Sequence, residues 1–163
     1  TGREYGQIFH HHAVEFTYAD GTKMYSQCRQ IPGCVRQVAE FAHGTDGVAD
    51  LSTVQCSLTN GDQTIWKSER KAPNPYQVEH DVLFDAIRTG RPHNEVQHGV
   101  DGTMTAILGR MATYSGKRVQ WQEAFDSDLR LTTDAEDWNA PAPILPLEDG
   151  SYPVAKPGTT KVL

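Results

Sequence analysis

The chain has 163 residues, enough for one domain with a real core and short for two ordinary ones. It is 37% hydrophobic and 22% charged, within the range of globular proteins, and no apolar run approaches the roughly 20 residues needed to cross a bilayer. A net charge of −6 with scattered Lys and Arg argues against a nucleic-acid surface, which needs clustered cations; the densest basic group, Lys67, Arg70 and Lys71, reads as a solvated loop.

The opening residues, Thr1-Gly2-Arg3-Glu4, carry neither an apolar signal core nor an initiator Met, as expected of a chain cut from a longer one. His12 to Tyr18 then alternate, with Val14, Phe16 and Tyr18 on one face and Glu15 and Thr17 on the other. Asp20-Gly21 supplies a hairpin turn, and a second strand is predicted from Thr22 to about Gln30. Pro32-Gly33 breaks the run. Further strands are predicted from about Arg36 to His43, Val48 to Leu51, Thr53 to Leu58 and Thr64 to Lys67, with turns at Thr45-Asp46-Gly47 and Asn60-Gly61. Short turns favour antiparallel neighbours, because parallel pairing needs long crossovers.

Helices follow. Asn74 can cap a helix whose first position is Pro75, where a missing N–H costs nothing. Val78, Val82 and Ala86 form its apolar stripe, with Leu83 and Ile87 beside it, and Gly90 and Pro92 end it. A second helix is predicted from near Glu95 to Tyr114, with Val100, Met104, Ile107, Leu108 and Met111 toward the core and Gly116 as its stop. Gly99, Gly102 and Gly109 each weaken that helix by about 1 kcal/mol unless close packing compensates. A short strand is expected at Arg118 to Trp121. From Asp134 onward, five prolines point to a tail that runs over the surface or wraps a partner. Strands first and helices second make an α+β fold: an open, mostly antiparallel sheet backed by two main helices on one face, with an irregular Pro-rich tail. The whole of 1–163 is one domain in this reading, with residues 1–70 mainly strands, 74–116 two helices, 117–133 a short strand and turn, and 134–163 extended.

Few constellations carry chemistry. Cys28, Cys34 and Cys56 are odd in number and contain no Cys-x-x-Cys pair, so buried thiols are expected; a Cys28–Cys34 bridge around Pro32-Gly33 is sterically conceivable. On an extended strand, His10 and His12 share a face about 7 Å apart at a rise of roughly 3.4 Å per residue, yet a metal needs further ligands, and the one nearby in sequence, Glu15, lies on the opposite face from His12. Glu79-His80 and the span His93 to His98 read as surface, with no metal site assigned. Gly99-x-x-Gly102 falls inside a helix and is no dinucleotide fingerprint, and neither a phosphate loop nor a nucleophile elbow occurs. The segment Gln27-Cys28-Arg29-Gln30-Ile31-Pro32-Gly33-Cys34 is polar where a buried strand would be apolar. Arg29 with flanking amides suits the hydroxyls or carboxylate of a small polar substrate; the same pattern suits an exposed strand or a subunit contact.

That segment, followed by Glu40 and His43-Gly44-Thr45-x-Gly47, resembles the C-terminal domain of Gfo/Idh/MocA oxidoreductases, and most of all the branch common in planctomycete-like bacteria. Asn74-Pro75-Tyr76-Gln77-x-Glu79-His80, Ile87-Arg88-x-Gly90-x-Pro92-x-Asn94-Glu95 and Thr105-Ala106-Ile107-x-Gly109-Arg110-Met111 are similar to that branch in the same order. So are Tyr114-Ser115-Gly116-Lys117, Trp121-x-Glu123-Ala124 and Tyr152-Pro153-Val154-Ala155-x-Pro157-Gly158. The resemblance implies a separate N-terminal Rossmann domain binding NAD or NADP, a sugar, polyol or related hydroxy compound as substrate, and a homo-oligomer formed through the sheet face. Gln27, Arg29, Gln30, Glu40 and His43 are the implied substrate contacts. The family's Glu-Lys-Pro and Asp-x-x-x-His-x-x-Asp motifs do not occur here, so the chain is expected to begin downstream of both, to bind no cofactor by itself and to be inactive alone, and no catalytic residue is transferred. Members of the branch often carry an export signal upstream, so the resemblance admits either the cytoplasm or the periplasm. The competing readings are a non-catalytic sugar-binding or oligomerisation module and, ranked last, a metal-binding protein using His10 and His12.

Overall fold

Alternating side chains and short turns produce strands that pair with their sequence neighbours, and the resulting sheets are antiparallel throughout. The computed structural model describes residues 2–51, 55–69, 73–132 and 139–163. It confirms the α+β class with open sheets, and it distributes the strands over two sheets, one of two strands and one of four. The chain divides into two compact units, Thr1–Pro32 with Glu95–Leu163, and Gly33–Asn94.

In the first unit, a 3-10 turn at Arg3–Tyr5 leads to β1 (His11–Thr17), which pairs with β2 (Lys23–Arg29). The hairpin closes through Tyr18 N–H donating to the Thr22 carbonyl at 2.9 Å and Gly21 N–H to the Tyr18 carbonyl at 3.0 Å. Of the expected Asp20-Gly21 pair, only Gly21 adopts a positive φ, +88°. Asp20 instead accepts the Thr22 N–H at 2.9 Å through its carboxylate, and that bond holds its pKa below the ordinary value.

The hairpin rests on α2 (Val96–Ser115). Gly109 explains the approach: a Cβ built there would lie 3.1 Å from the Phe16 ring and 3.7 Å from a Val14 methyl. The glycine that costs helix stability is thus the one that lets β1 sit against the helix. Gly99 and Gly102 meet nothing within 4 Å among the described residues and have no such compensation. Below this contact the core gathers Met104, Met111 and Tyr114 of α2 with Ala124 of α3 (Trp121–Phe125), backed by Phe9, Leu108 and Val119. Val100 and Ile107, expected on the same stripe, are exposed. Residues 118–120 form no strand, and the sequence turns into α3 at Trp121, where Gln120 and Glu123 form a reciprocal capping box. A capping box satisfies two orphan amides and so stops an extended run in favour of a helix.

The tail departs most from expectation. It is irregular, yet Ala155 and Val162 are buried in the core. Gly116 ends α2 at φ +67°, and the Gly158 N–H donates to the Ser115 carbonyl at 2.6 Å. Prolines bar a ladder but do not prevent apolar side chains from docking, so the tail is anchored where the helix stops. Trp138 and the rest of 133–138 lie outside the described residues.

The second unit is a meander, β3 (Phe41–Gly44), β4 (Gly47–Asp50), β5 (Ser57–Asn60) and β6 (Gln63–Lys67), in that order across the sheet. Two-residue turns link Gly44 to Gly47 and Asn60 to Gln63, and a bulge interrupts the pairing at Leu58 and Thr59. The strand expected from Arg36 begins only at Phe41, and that expected from Thr53 begins at Ser57; residues 52–54 lie outside the described ones, as do Arg70 and Lys71. Helix α1 (Pro75–Thr89) is bounded as its sequence dictates. The Asn74 side chain accepts the Tyr76 N–H at 3.0 Å, Pro75 opens the first turn, and Gly90 closes the last at φ +67°. Its apolar stripe is another matter: only Ala86 is buried, whereas Val78, Val82, Leu83 and Ile87 are exposed. No Cα of α1 comes within 8 Å of a strand of its own unit among the described residues.

The glycines of α2 give a graded test by urea unfolding followed by circular dichroism. Gly102→Ala is expected to stabilise by about 1 kcal/mol, the ordinary helix-propensity gain. Gly109→Ala should gain less, because the Phe16 ring must move. Gly116→Ala should lose at least about 1–2 kcal/mol, since an L residue is strained in the left-handed region and its Cβ would lie 2.8 Å from that of Pro157. Equal effects at 102 and 109 would contradict the packing account.

Candidate functional site

The β1–β2 register decides which polar side chains stand together. His11 faces Arg29, Ala13 faces Gln27, Glu15 faces Tyr25 and Thr17 faces Lys23. Directly opposed residues share a face, and successive ones alternate. His12, Val14 and Phe16 turn toward α2, so Gln27 and Arg29 stand on the outer, exposed face beside Ala13 and His11. Gln30 lies one residue beyond β2 and donates its N–H to the His10 carbonyl at 2.7 Å. Glu40 and His43 belong to the second unit: the Glu40 carbonyl accepts the Leu51 N–H at 2.8 Å just before β3, and His43 lies on β3 opposite Val48. Of the five residues named from sequence, the structure gathers Gln27 and Arg29 on one strand face.

Sequence reasoning missed the ion pair on this face. Lys23 Nζ lies 2.5 Å from Glu15 Oε1, one diagonal step across the hairpin. The Lys23 hydrogen bond holds Glu15 below the ordinary carboxylate range, and the Glu15 hydrogen bond raises Lys23 above its ordinary value. Glu15 thus favours the folded state above its ordinary pKa, and this contribution fades as pH falls through the lowered value. Lys23 contributes below its ordinary pKa and loses its effect as pH rises through the raised one. The signal was available: once Asp20-Gly21 fixes the turn, Glu15 and Lys23 must be cross-strand neighbours.

The histidines also arrange themselves differently from the two-on-one-face expectation. His10 Nδ1 lies 2.9 Å from His11 Nδ1, whereas His12 Nδ1 lies 2.9 Å from Thr113 Oγ1. The strand begins only at His11, so His10 is not held in alternation with His12. Partial burial, followed by the charge of its neighbours, lowers the pKa of His10. Elsewhere, His80 Nδ1 lies 2.6 Å from the Tyr76 carbonyl and His98 Nδ1 2.9 Å from Glu95 Oε2. Among the described residues, no group of three or more His, Cys, Asp or Glu converges. None of the cysteines forms a disulfide; Cys28 is exposed and Cys34 and Cys56 are half-buried, contrary to the buried thiols expected.

Tyr114 ties the entrance of β1 to the helix. Its hydroxyl donates to the Gln7 carbonyl at 2.6 Å and accepts the Phe9 N–H at 3.2 Å, and its ring stacks on Phe9 at 4.4 Å. The Arg110 guanidinium covers the same ring at 4.0 Å. Beside this contact a cleft of about 1140 Å³ opens between β1, α2 and residues 116–121. Phe9, Val14, Phe16, Leu108, Val119 and Trp121 supply its apolar lining, and Lys23, Lys117 and Arg118 its cations.

The described residues contain no Rossmann-type cradle for a dinucleotide. That group needs a strand-to-helix glycine turn within parallel pairing, whereas the described strands are all antiparallel and Gly99 and Gly102 lie inside α2. No described helix is long and apolar enough to cross a membrane. Compared with known proteins, the chain matches no family model, no curated protein and no solved structure.

Two measurements follow. In an NMR titration, Lys23→Met is expected to return the Glu15 midpoint upward to the ordinary carboxylate range; an unmoved midpoint would dismiss the pair as its cause. Tyr114→Phe should cost about 1–3 kcal/mol in urea unfolding, because it leaves the Phe9 N–H and Gln7 carbonyl without their partner.

Proposed function

We propose that this chain is the substrate-side and subunit-association domain of an NAD(P)-dependent oxidoreductase acting on a sugar, polyol or related hydroxy compound. The observation that carries the reading is the outer face of β2, where Gln27 and Arg29 stand two residues apart, exposed, beside His11 and Ala13. They belong to the polar segment that opens the ordered resemblance to Gfo/Idh/MocA C-terminal domains. A guanidinium offers a rigid fork of donors, and an amide offers both a donor and an acceptor. Together they suit vicinal hydroxyls or a carboxylate.

Glu40 and His43 remain candidate contacts through the resemblance alone. In this reading NAD or NADP binds a separate Rossmann domain, and hydride transfer requires both halves to hold the reactants in near-attack geometry. This chain's share is orientation of the substrate, so no bond-making role falls to its residues.

The test is Arg29→Ala in the complete gene product that carries this chain. We expect kcat/KM for NAD(P)-linked polyol oxidation to fall roughly tenfold or more, the scale of one lost charge-assisted hydrogen bond. An unchanged kcat/KM would remove Arg29 from the substrate wall. Sugar binding without any cofactor turnover would assign the chain to a non-catalytic sugar-binding or oligomerisation module instead.

A further inference from the structure

We propose that the adjacent imidazoles of His10 and His11 form a chelating site for a divalent nickel or copper ion, bound through their two Nδ1 atoms. The spacing of those atoms and the anchoring of the backbone around them both point to it, and both lie within the first unit.

The spacing comes first. His10 Nδ1 and His11 Nδ1 lie 2.9 Å apart, with ring centroids at 4.9 Å and planes tilted by 32°. A bond from imidazole nitrogen to a first-row divalent metal is about 2.0–2.1 Å. Two such bonds from nitrogens 2.9 Å apart meet at close to a right angle. That is the angle between neighbouring positions of a square-planar or octahedral ion, whereas a tetrahedral ion spreads its ligands wider. Imidazole suits nickel and copper, and the hard ions magnesium and calcium prefer oxygen.

The ion takes the place of a proton. Two Nδ1 atoms in contact share one hydrogen, since one must donate and the other accept. On binding, that hydrogen passes through water to Nε2 of the same ring, and both Nδ1 lone pairs turn to the metal. No net proton is released from neutral rings.

The backbone holds the pair from both sides, which lowers the ordering cost of chelation. The Tyr114 hydroxyl accepts the Phe9 N–H at 3.2 Å, the His10 carbonyl accepts the Gln30 N–H at 2.7 Å, and His11 opens β1 opposite Arg29. His11 is exposed and His10 half-buried, so water can complete the coordination. No third His, Cys, Asp or Glu converges on the pair among the described residues. His12 is turned to α2, where its Nδ1 meets Thr113 Oγ1 at 2.9 Å. The exposed Arg29 opposes a cation beside His11, and water on that face screens the repulsion.

The experiment titrates nickel chloride into the full 163-residue chain, read by calorimetry and by proton–nitrogen NMR; nickel is chosen because thiols do not reduce it. We expect one saturable site below millimolar nickel, paramagnetic broadening that begins at the His10 and His11 amides, and no competition from magnesium chloride. His10→Gln and His11→Gln should each weaken binding at least tenfold, because each removes one of two protein ligands. His12→Gln and Cys28→Ser should change it less than twofold. Should a histidine variant fold poorly by circular dichroism, the broadening map of the unaltered chain still decides. Broadening centred on His43, His80, His93 or His98 would overturn the proposal, as would no saturation at millimolar nickel. So would unchanged affinity in His10→Gln and His11→Gln, or loss of binding in His12→Gln or Cys28→Ser.

Discussion

The hairpin depends on the Phe16 ring packing so near Gly109 that a Cβ there would lie 3.1 Å from it. A two-stranded ribbon is marginal by itself in water and needs an apolar surface behind it. Here α2 is that surface, and Val14, Phe16 and His12 are the side chains that reach it. Because the inward face is fixed, so is the outward one: the register that turns the half-buried Phe16 toward α2 also exposes Gln27 and Arg29. A slip by one residue would exchange the two faces. The polar face proposed to meet substrate is therefore held in place by an apolar contact behind it.

The second unit has a different character. Its meander is paired edge to edge, yet Phe41, Leu58, Ile65 and Trp66 are exposed, as is most of the apolar stripe of α1. Capping, proline and glycine chemistry define the ends of that helix fully. What covers its stripe is a question of tertiary packing, which local chemistry does not decide. Helix ends and helix partners are independent properties, and this chain separates them clearly.

Elements written in local chemistry were legible in the sequence. The Asp20-Gly21 hairpin, the Asn74-Pro75 start, and the stops at Gly90 and Gly116 all stand within a residue or two of expectation. The order and turns of the antiparallel meander were legible too, although two of its strands begin later than expected, at Phe41 and Ser57. What could not be read depended on distant partners. Gln120 and Glu123 cap a short helix where alternation had indicated a strand, and the proline-rich tail buries Ala155 and Val162. The candidate site was half legible: Gln27 and Arg29 follow from period-two alternation, whereas the cleft needs β1, α2 and residues 116–121 in space together. Glu15 and Lys23 fall between these cases, since a correct hairpin register alone makes them neighbours.

The anchored tail has a consequence for the order in which the molecule assembles. The core of the first unit joins Phe9 to Val162, so its contacts span nearly the whole sequence, whereas the second unit is one uninterrupted stretch, Gly33–Asn94. Contacts between residues far apart in sequence form late, because the entropy of closing the loop must be met before they give any return. During synthesis the inserted meander has all its residues in hand while the first unit still lacks part of its own core. The hairpin that carries Gln27 and Arg29 is made before α2 and is seated only once that helix has followed.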